Sequence, residues 1–89
     1  MNSFGQKIKA LRKSKGLSQE KLADLLDYDW SNYRKIEQGK RNPPIKILKS
    51  LSEILNVPIE TLKILKLIDK CPEEYLPLMV AELKRLGFN

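Results

Sequence analysis

The sequence predicts an all-α protein, and three observations support this. Apolar residues recur at three- and four-residue spacing through most of the chain, as in helices that each bury one face. Glycine, proline and capping residues interrupt that pattern at short intervals, and no segment alternates apolar and polar residues as a strand does. With 89 residues, 42% of them hydrophobic, the chain has the size and composition of one small globular domain.

Two short helices with clear end signals are predicted first. One covers residues 4–15 and ends before Gly16, a residue type that readily forms the left-handed C-terminal cap of a helix. The next covers about residues 19–26 and follows Ser18, whose hydroxyl can accept a hydrogen bond from a free backbone N–H. Their apolar faces hold Phe4, Ile8, Leu11, Leu22 and Ala23.

The third predicted helix begins at Trp30 after a very short turn. Asp29 is its expected N-cap, and Asp27 lies in the turn, where an aspartate tolerates positive φ better than most residues. Gly39 ends this helix. Its inward face is expected to hold Tyr33 and Ile36, and its outward face Trp30, Ser31, Arg34 and Lys35.

Three more helical segments follow a basic loop. Pro44 is expected to occupy the first position of a helix over residues 44–55, and another helix covers about residues 59–69. The last amphipathic segment becomes regular near Pro77 and stops at Gly87.

The break near residue 70 predicts two parts: a helical domain over residues 1–69 and a C-terminal helical extension over residues 70–89. The extension either packs on its own domain or pairs with a second copy of the chain.

The excess of positive charge is confined to the first half of the chain. The net charge is +6, and residues 1–49 carry 12 basic and five acidic side chains, or +7, while residues 50–89 carry five and six, or −1. A basic half attracts phosphates, because neutralising them releases counterions. The alternative is an ordinary solvated surface, which is our interpretation of the lysines at 7, 9, 13 and 15.

Most enzyme and metal sites are excluded by composition. The chain has no histidine and one cysteine, Cys71, so it lacks the common zinc spacings, every histidine-based triad and an internal disulfide. We expect no catalytic activity, no cofactor and no metal. We also expect a cytoplasmic protein with no membrane association, because neither a secretory signal nor a long apolar stretch is present.

Three separated segments resemble the Cro/CI-type, or Xre, family of phage repressors. They are residues 17–23 (LSQEKLA), 29–33 (DWSNY) and 36–43 (IEQGKRNP), in the order that this helix-turn-helix family has. The resemblance extends over about residues 4–65. It implies a five-helix lambda repressor-like DNA-binding domain that works as a dimer on palindromic operators, here followed by a C-terminal amphipathic helix.

The resemblance also implies which residues contact DNA. The third helix is the recognition helix, and the positions that read or flank base edges are Trp30, Ser31, Arg34 and Lys35. The phosphate-contacting positions are Gln19 at the start of the second helix and Lys40 and Arg41 in the basic loop.

One further pair matches the family in a structural role. Arg12 and Glu37 correspond to an ion pair that links the first helix to the end of the third.

The sequence is compatible with two functions. The first is a homodimeric regulator that binds double-stranded DNA at specific sequences. The second is a protein-interaction module of the same fold, such as an antitoxin-like protein, an anti-repressor or a restriction-modification controller, with an unidentified protein partner. Trp30 suits either function, since it can contact a base or sugar, anchor a protein partner or cover the domain edge, while Asp27 and Asp29 favour the second.

Overall fold

The structure is a computed structural model that describes residues 2–87, and these residues form helices and no strands. The helices are α1 (Ser3–Ser14), α2 (Gln19–Leu25), α3 (Trp30–Glu37), α4 (Ile45–Ile54), α5 (Ile59–Lys70) and α6 (Leu76–Arg85). A single 3-10 turn, Glu73–Tyr75, precedes α6. The predicted all-α fold class is therefore confirmed.

The first five helices enclose one hydrophobic core. Each contributes a side chain with no exposed surface, namely Ile8, Leu22, Tyr33, Leu51 and Leu62. Burying a large apolar side chain contributes about 1.5–3 kcal/mol, so these residues join all five helices into one folding unit. Helix α1 lies against both α3 and α5, while α2 packs on α3 and α4 packs on α5.

The cap of α2 and the turn between α2 and α3 are as the sequence predicts. Ser18 caps α2, with its Oγ accepting a hydrogen bond from the backbone N–H of Lys21 at 3.0 Å. Asp27 adopts a left-handed φ of 52°, as its place in the turn requires. Helix α2 thus ends and α3 begins within a few residues of each other.

The start of α4 differs from the sequence prediction by one residue. Pro44 is the N-cap and not the first helical residue, because its ψ of 155° is extended. Its carbonyl nevertheless accepts the first helical hydrogen bond, from the backbone N–H of Leu48 at 3.0 Å. An N-cap needs this non-helical ψ, and proline satisfies the φ requirement at either position.

Helix α6 stands apart from the core. None of its residues is buried, and Leu78 on it is 70% exposed. Its apolar residues therefore contribute little to the stability of the protomer. The division of the chain near residue 70 stays a prediction.

Candidate nucleic-acid interface

The turn before α3 fixes where its exposed face begins. The side chain of Asp29 caps the helix, with Oδ2 accepting a hydrogen bond from the backbone N–H of Asn32 at 3.0 Å. A cap of this kind satisfies a donor that the helix itself leaves free. The exposed face of α3 consequently begins at Trp30, the first residue of the helix.

The outer face of α3 is solvent-exposed along its length. Tyr33 and Ile36 turn to the core, with 0% and 1% of their surfaces exposed. The helical period puts the polar residues on the opposite side. The structure therefore brings together on one exposed face the four sequence-predicted base-contacting residues, Trp30, Ser31, Arg34 and Lys35.

Two of these side chains are in contact. The Arg34 Cζ lies 5.3 Å from the centroid of the Trp30 ring, and Trp30 is 43% exposed. Residues four apart in a helix are surface neighbours, and a guanidinium over an aromatic ring is attracted by the ring quadrupole. The contact restricts the orientations that the Arg34 guanidinium can adopt.

The loop after α3 carries two exposed cations, Lys40 and Arg41. The Arg41 Nε donates a hydrogen bond to the Tyr28 hydroxyl at 3.1 Å, which ties the loop to the turn before α3. Gly39 begins the loop with φ 77°, and a Cβ there would lie 2.8 Å from the side chain of Asn2. Both the backbone conformation and the space available therefore favour glycine.

Gln19 is the first residue of α2. Its Nε2 donates a hydrogen bond to Glu37 Oε1 at 3.1 Å. Because an amide nitrogen carries two hydrogens, one remains for another acceptor. Its contact with a DNA phosphate stays a prediction.

A buried polar network lies behind this surface. Arg12 and Glu37 are 7% and 6% exposed and form an ion pair with 2.7 Å between Nε and Oε2. Arg12 Nη2 donates to Glu37 Oε1 at 3.3 Å, and the Tyr33 hydroxyl donates to Oε2. Arg12 Nη1 also donates to the carbonyl of Leu17 at 2.8 Å. The network therefore joins α1, the start of α2 and the end of α3.

The network shifts the pKa values of its members in opposite directions. Burial alone raises the pKa of Glu37, but hydrogen bonds from Arg12, Tyr33 and Gln19 outweigh burial and hold it below the usual 4.5. Burial and the hydrogen bond to Glu37 raise the pKa of Tyr33 far above its ordinary value of 10.0. At neutral pH Glu37 is thus a carboxylate, and Tyr33 a neutral donor to it.

Sequence reasoning missed several polar contacts of this region, among them three made by the side chains of Tyr33, Tyr28 and Asn2. The Tyr33 hydroxyl binds Glu37, Tyr28 binds Arg41, and Asn2 donates from Nδ2 to the carbonyl of Glu37 at 2.7 Å. The four-residue spacing of Tyr33 and Glu37 is the one signal that could have indicated a contact. The other two join positions too distant in sequence for any local pattern.

The part of the chain that the structure describes contains neither a metal site nor a membrane span. No group of acidic, cysteine or histidine side chains within residues 2–87 is arranged to hold a metal ion. No helix in the same range has the length and apolar character needed to cross a bilayer.

Comparison with known proteins gives a family and several relatives. Residues 8–62 match the family model described as helix-turn-helix. The chain is 44% identical over 59 residues to the SPbeta prophage-derived uncharacterized HTH-type transcriptional regulator YonR of Bacillus subtilis (strain 168), covering 66% of this chain and 55% of YonR. It is 43% identical over 60 residues to Control protein C.MunI of Mycoplasma sp, covering 66% of this chain and 81% of that protein.

A third relative is named as a repressor. The chain is 36% identical over 63 residues to the HTH-type transcriptional repressor RghR of Bacillus subtilis (strain 168), covering 70% of this chain and 47% of RghR. The matched segment thus spans about half the length of YonR and of RghR. No solved structure matches the chain.

Proposed function

Because the chain belongs to the helix-turn-helix family of transcriptional regulators, we propose that it acts in the cytoplasm as a repressor-like protein that binds a palindromic DNA operator as a homodimer. In this proposal α3 enters the major groove. Trp30, Ser31, Arg34 and Lys35 contact or flank base edges.

The exposed cationic face of α3 carries this proposal. Arg34 and Lys35 lie on it, and the cations of the following loop, Lys40 and Arg41, extend the positive surface beyond its end. Arg and Lys can donate to the guanine acceptors of the major groove, while loop cations and the start of α2, at Gln19, suit the flanking phosphates. The Trp30 ring supports Arg34 by limiting its orientations.

The dimer is proposed to form through α5 and α6. A groove of about 290 Å³ between these helices is lined mainly by apolar side chains, among them Ile64, Leu65, Val80 and Leu83. We assign this groove to a second copy of the chain because residues 70–89 carry three basic and three acidic side chains. That net charge of zero permits self-association, whereas two copies of the basic half repel each other.

Alanine variants separate base contacts from phosphate contacts. Arg34→Ala or Lys35→Ala should weaken operator binding by about 1–3 kcal/mol and relax sequence preference, if that residue makes a bidentate base contact. Lys40→Ala should weaken all sequences alike and lower the salt dependence by about one phosphate contact. The operator is first selected from random duplexes, and affinities are then measured against salt.

Lys63→Ala is the matched control. Lys63 is exposed on α5, and its substitution removes the same charge at a position far along the chain from α3. It should leave sequence preference unchanged. Equal losses on operator and random DNA for Arg34→Ala, Lys35→Ala and Lys40→Ala would refute the assigned roles.

The alternative is a protein-interaction module of the same fold, either antitoxin-like, an anti-repressor or a restriction-modification controller. The exposed Trp30 favours it, because tryptophan is enriched among residues that dominate binding to protein partners. Absence of binding to any duplex at low salt, together with a stoichiometric protein partner, would support this second function over the first.

A further inference from the structure

A second cavity lies beside the loop that follows α3. It has a volume of about 240 Å³ and is enclosed by that loop, the start of α1 and the last turn of α5. Phe4, Ile36 and Pro43 supply apolar walls, and each of them is buried. Phe4 and Ile36 belong to the hydrophobic core, and Pro43 follows the cationic residues of the loop.

Three cations and one acid line the same cavity. Arg41 approaches from the loop, and Lys66 and Lys70 approach from one face of α5, where they are one helical turn apart. Asp69 is the acid, but its two oxygens accept hydrogen bonds from the backbone N–H groups of Ser3 and Phe4 at 2.6 and 2.9 Å. Both oxygens of Asp69 are therefore occupied by the first turn of α1, and the charges on the cavity sum to +2.

The two lysines have no acidic partner within residues 2–87. Burial, followed by the charge of Lys70, holds the pKa of Lys66 below its usual 10.5. Arg41 uses only its Nε for the Tyr28 hydroxyl, which leaves its terminal nitrogens as donors. The cavity thus combines uncompensated positive charge with free donors on two sides.

We propose that this cavity binds a phosphate group. A phosphate monoester carries about −1.5 to −2 charges at pH 7, which matches the +2 of the site, and a phosphodiester of DNA carries one negative charge, which the site neutralises in excess. The oxygens of either group can accept from both Arg41 and the two lysines. The phosphate comes either from a free phosphate monoester or from the DNA backbone beside the loop. The second source rests on the proposed DNA-binding function, and the first does not.

Titration with inorganic phosphate tests the site without DNA. We expect saturable shifts of the backbone amide signals of Asn42, Lys66 and Lys70 in the isotope-labelled full chain, relative to sodium chloride at equal ionic strength. The double variant Lys66→Gln/Lys70→Gln should lose these shifts. Lys63→Gln, an exposed lysine of the same helix that does not line the cavity, should keep them.

The salt dependence of binding to a random duplex identifies the source. A fall of about 0.9 in the salt slope per lost contact in the double variant, but not in Lys63→Gln, assigns the site to the DNA backbone. If the double variant loses the phosphate-induced shifts but keeps the salt slope of the parent protein, the site binds a free phosphate. If neither measurement responds to the two lysines in a folded variant, the site is refuted. If the parent protein binds no DNA, the proposed function fails, but the phosphate titration still tests the cavity.

Discussion

Glu37 accepts hydrogen bonds from side chains of three helices, Arg12 of α1, Gln19 of α2 and Tyr33 of α3. A buried ion pair does not of itself stabilise a fold more than an apolar cluster, because both ions lose their water. Its loss is costly, however, since the remaining charge stays buried. The network therefore fixes how α1 and the start of α2 sit against the end of α3.

Removing the Glu37 charge should destabilise the protein strongly. Glu37→Gln leaves the Arg12 charge buried without its partner, and we expect a loss of about 3–5 kcal/mol in the free energy of unfolding at pH 7. Urea denaturation measures this. Glu53→Gln, at an exposed position of α4, is the control and should change stability by less than about 0.5 kcal/mol. Equal losses in the two variants would contradict a structural role for the network.

The same network predicts a pH dependence of stability at both extremes. Because the pKa of Glu37 is lowered in the folded state, its contribution is complete above the unfolded value of 4.5 and is lost as the pH falls through the lowered pKa. Because the pKa of Tyr33 is raised, its contribution is present below 10.0 and is lost as the pH rises beyond it. Denaturation at a series of pH values should show a steeper acid decline in the parent than in Glu37→Gln.

At the scale of the element, the start of α3 depends on a single side chain. The cap that Asp29 supplies satisfies a free N–H of the first turn, and helix α3 is only eight residues long. Asp29→Ala should reduce stability by about 1 kcal/mol. Asp24→Ala removes the same charge from an exposed position of α2 that caps nothing, and thermal unfolding should find it nearly neutral. Matching losses would mean that charge, and not capping, accounts for the effect.

Helix α6 shows where amphipathic periodicity reaches its limit. The apolar spacing predicted the helix and its start near Pro77, and the structure places Pro77 within the first turn. The same spacing left open whether the helix packs on its own protomer or on a second copy. Periodicity identifies an apolar face but carries no information about what covers that face.

Across the whole molecule, the excess positive charge and most of the exposed large apolar side chains occupy different parts of the chain. The basic residues concentrate in residues 1–49. Of the eight exposed large apolar side chains within residues 2–87, five belong to α5 or follow it, namely Leu67, Tyr75, Leu78, Val80 and Leu86, while Leu25, Trp30 and Ile45 lie in the basic half. A protein that presents one surface to DNA and another to its own copy needs such a separation, because the phosphate-binding surface repels a second copy.

The proposed dimer should depend on the groove between α5 and α6. Val80→Lys introduces a charge into the groove, and we expect a shift from dimer to monomer at micromolar concentration in sedimentation velocity, with weaker binding to a full operator. Leu25→Lys is the matched control, because Leu25 is 49% exposed on α2 and lies outside the groove. A parent protein that sediments as a monomer with and without operator would exclude the dimer.

Local sequence determined the helices, the caps at Ser18 and Asp29, and the face that α3 exposes. The positive φ at Asp27 and the cap at Asp29 could be predicted because each depends on neighbours within a few residues. The family resemblance predicted the ion pair between Arg12 and Glu37. Spacing alone could not have done so, because 25 residues separate them.

The packing of the helices sets which polar groups are occupied and which remain available. Gln19 donates to Glu37, Arg41 donates to Tyr28, and Asp69 accepts from the backbone N–H of Ser3, which lies 66 residues earlier in the chain. Lys66 and Lys70 lie near the basic loop because α5 packs against α1. Such contacts follow from how the helices pack around a common core, and no short stretch of sequence encodes that arrangement.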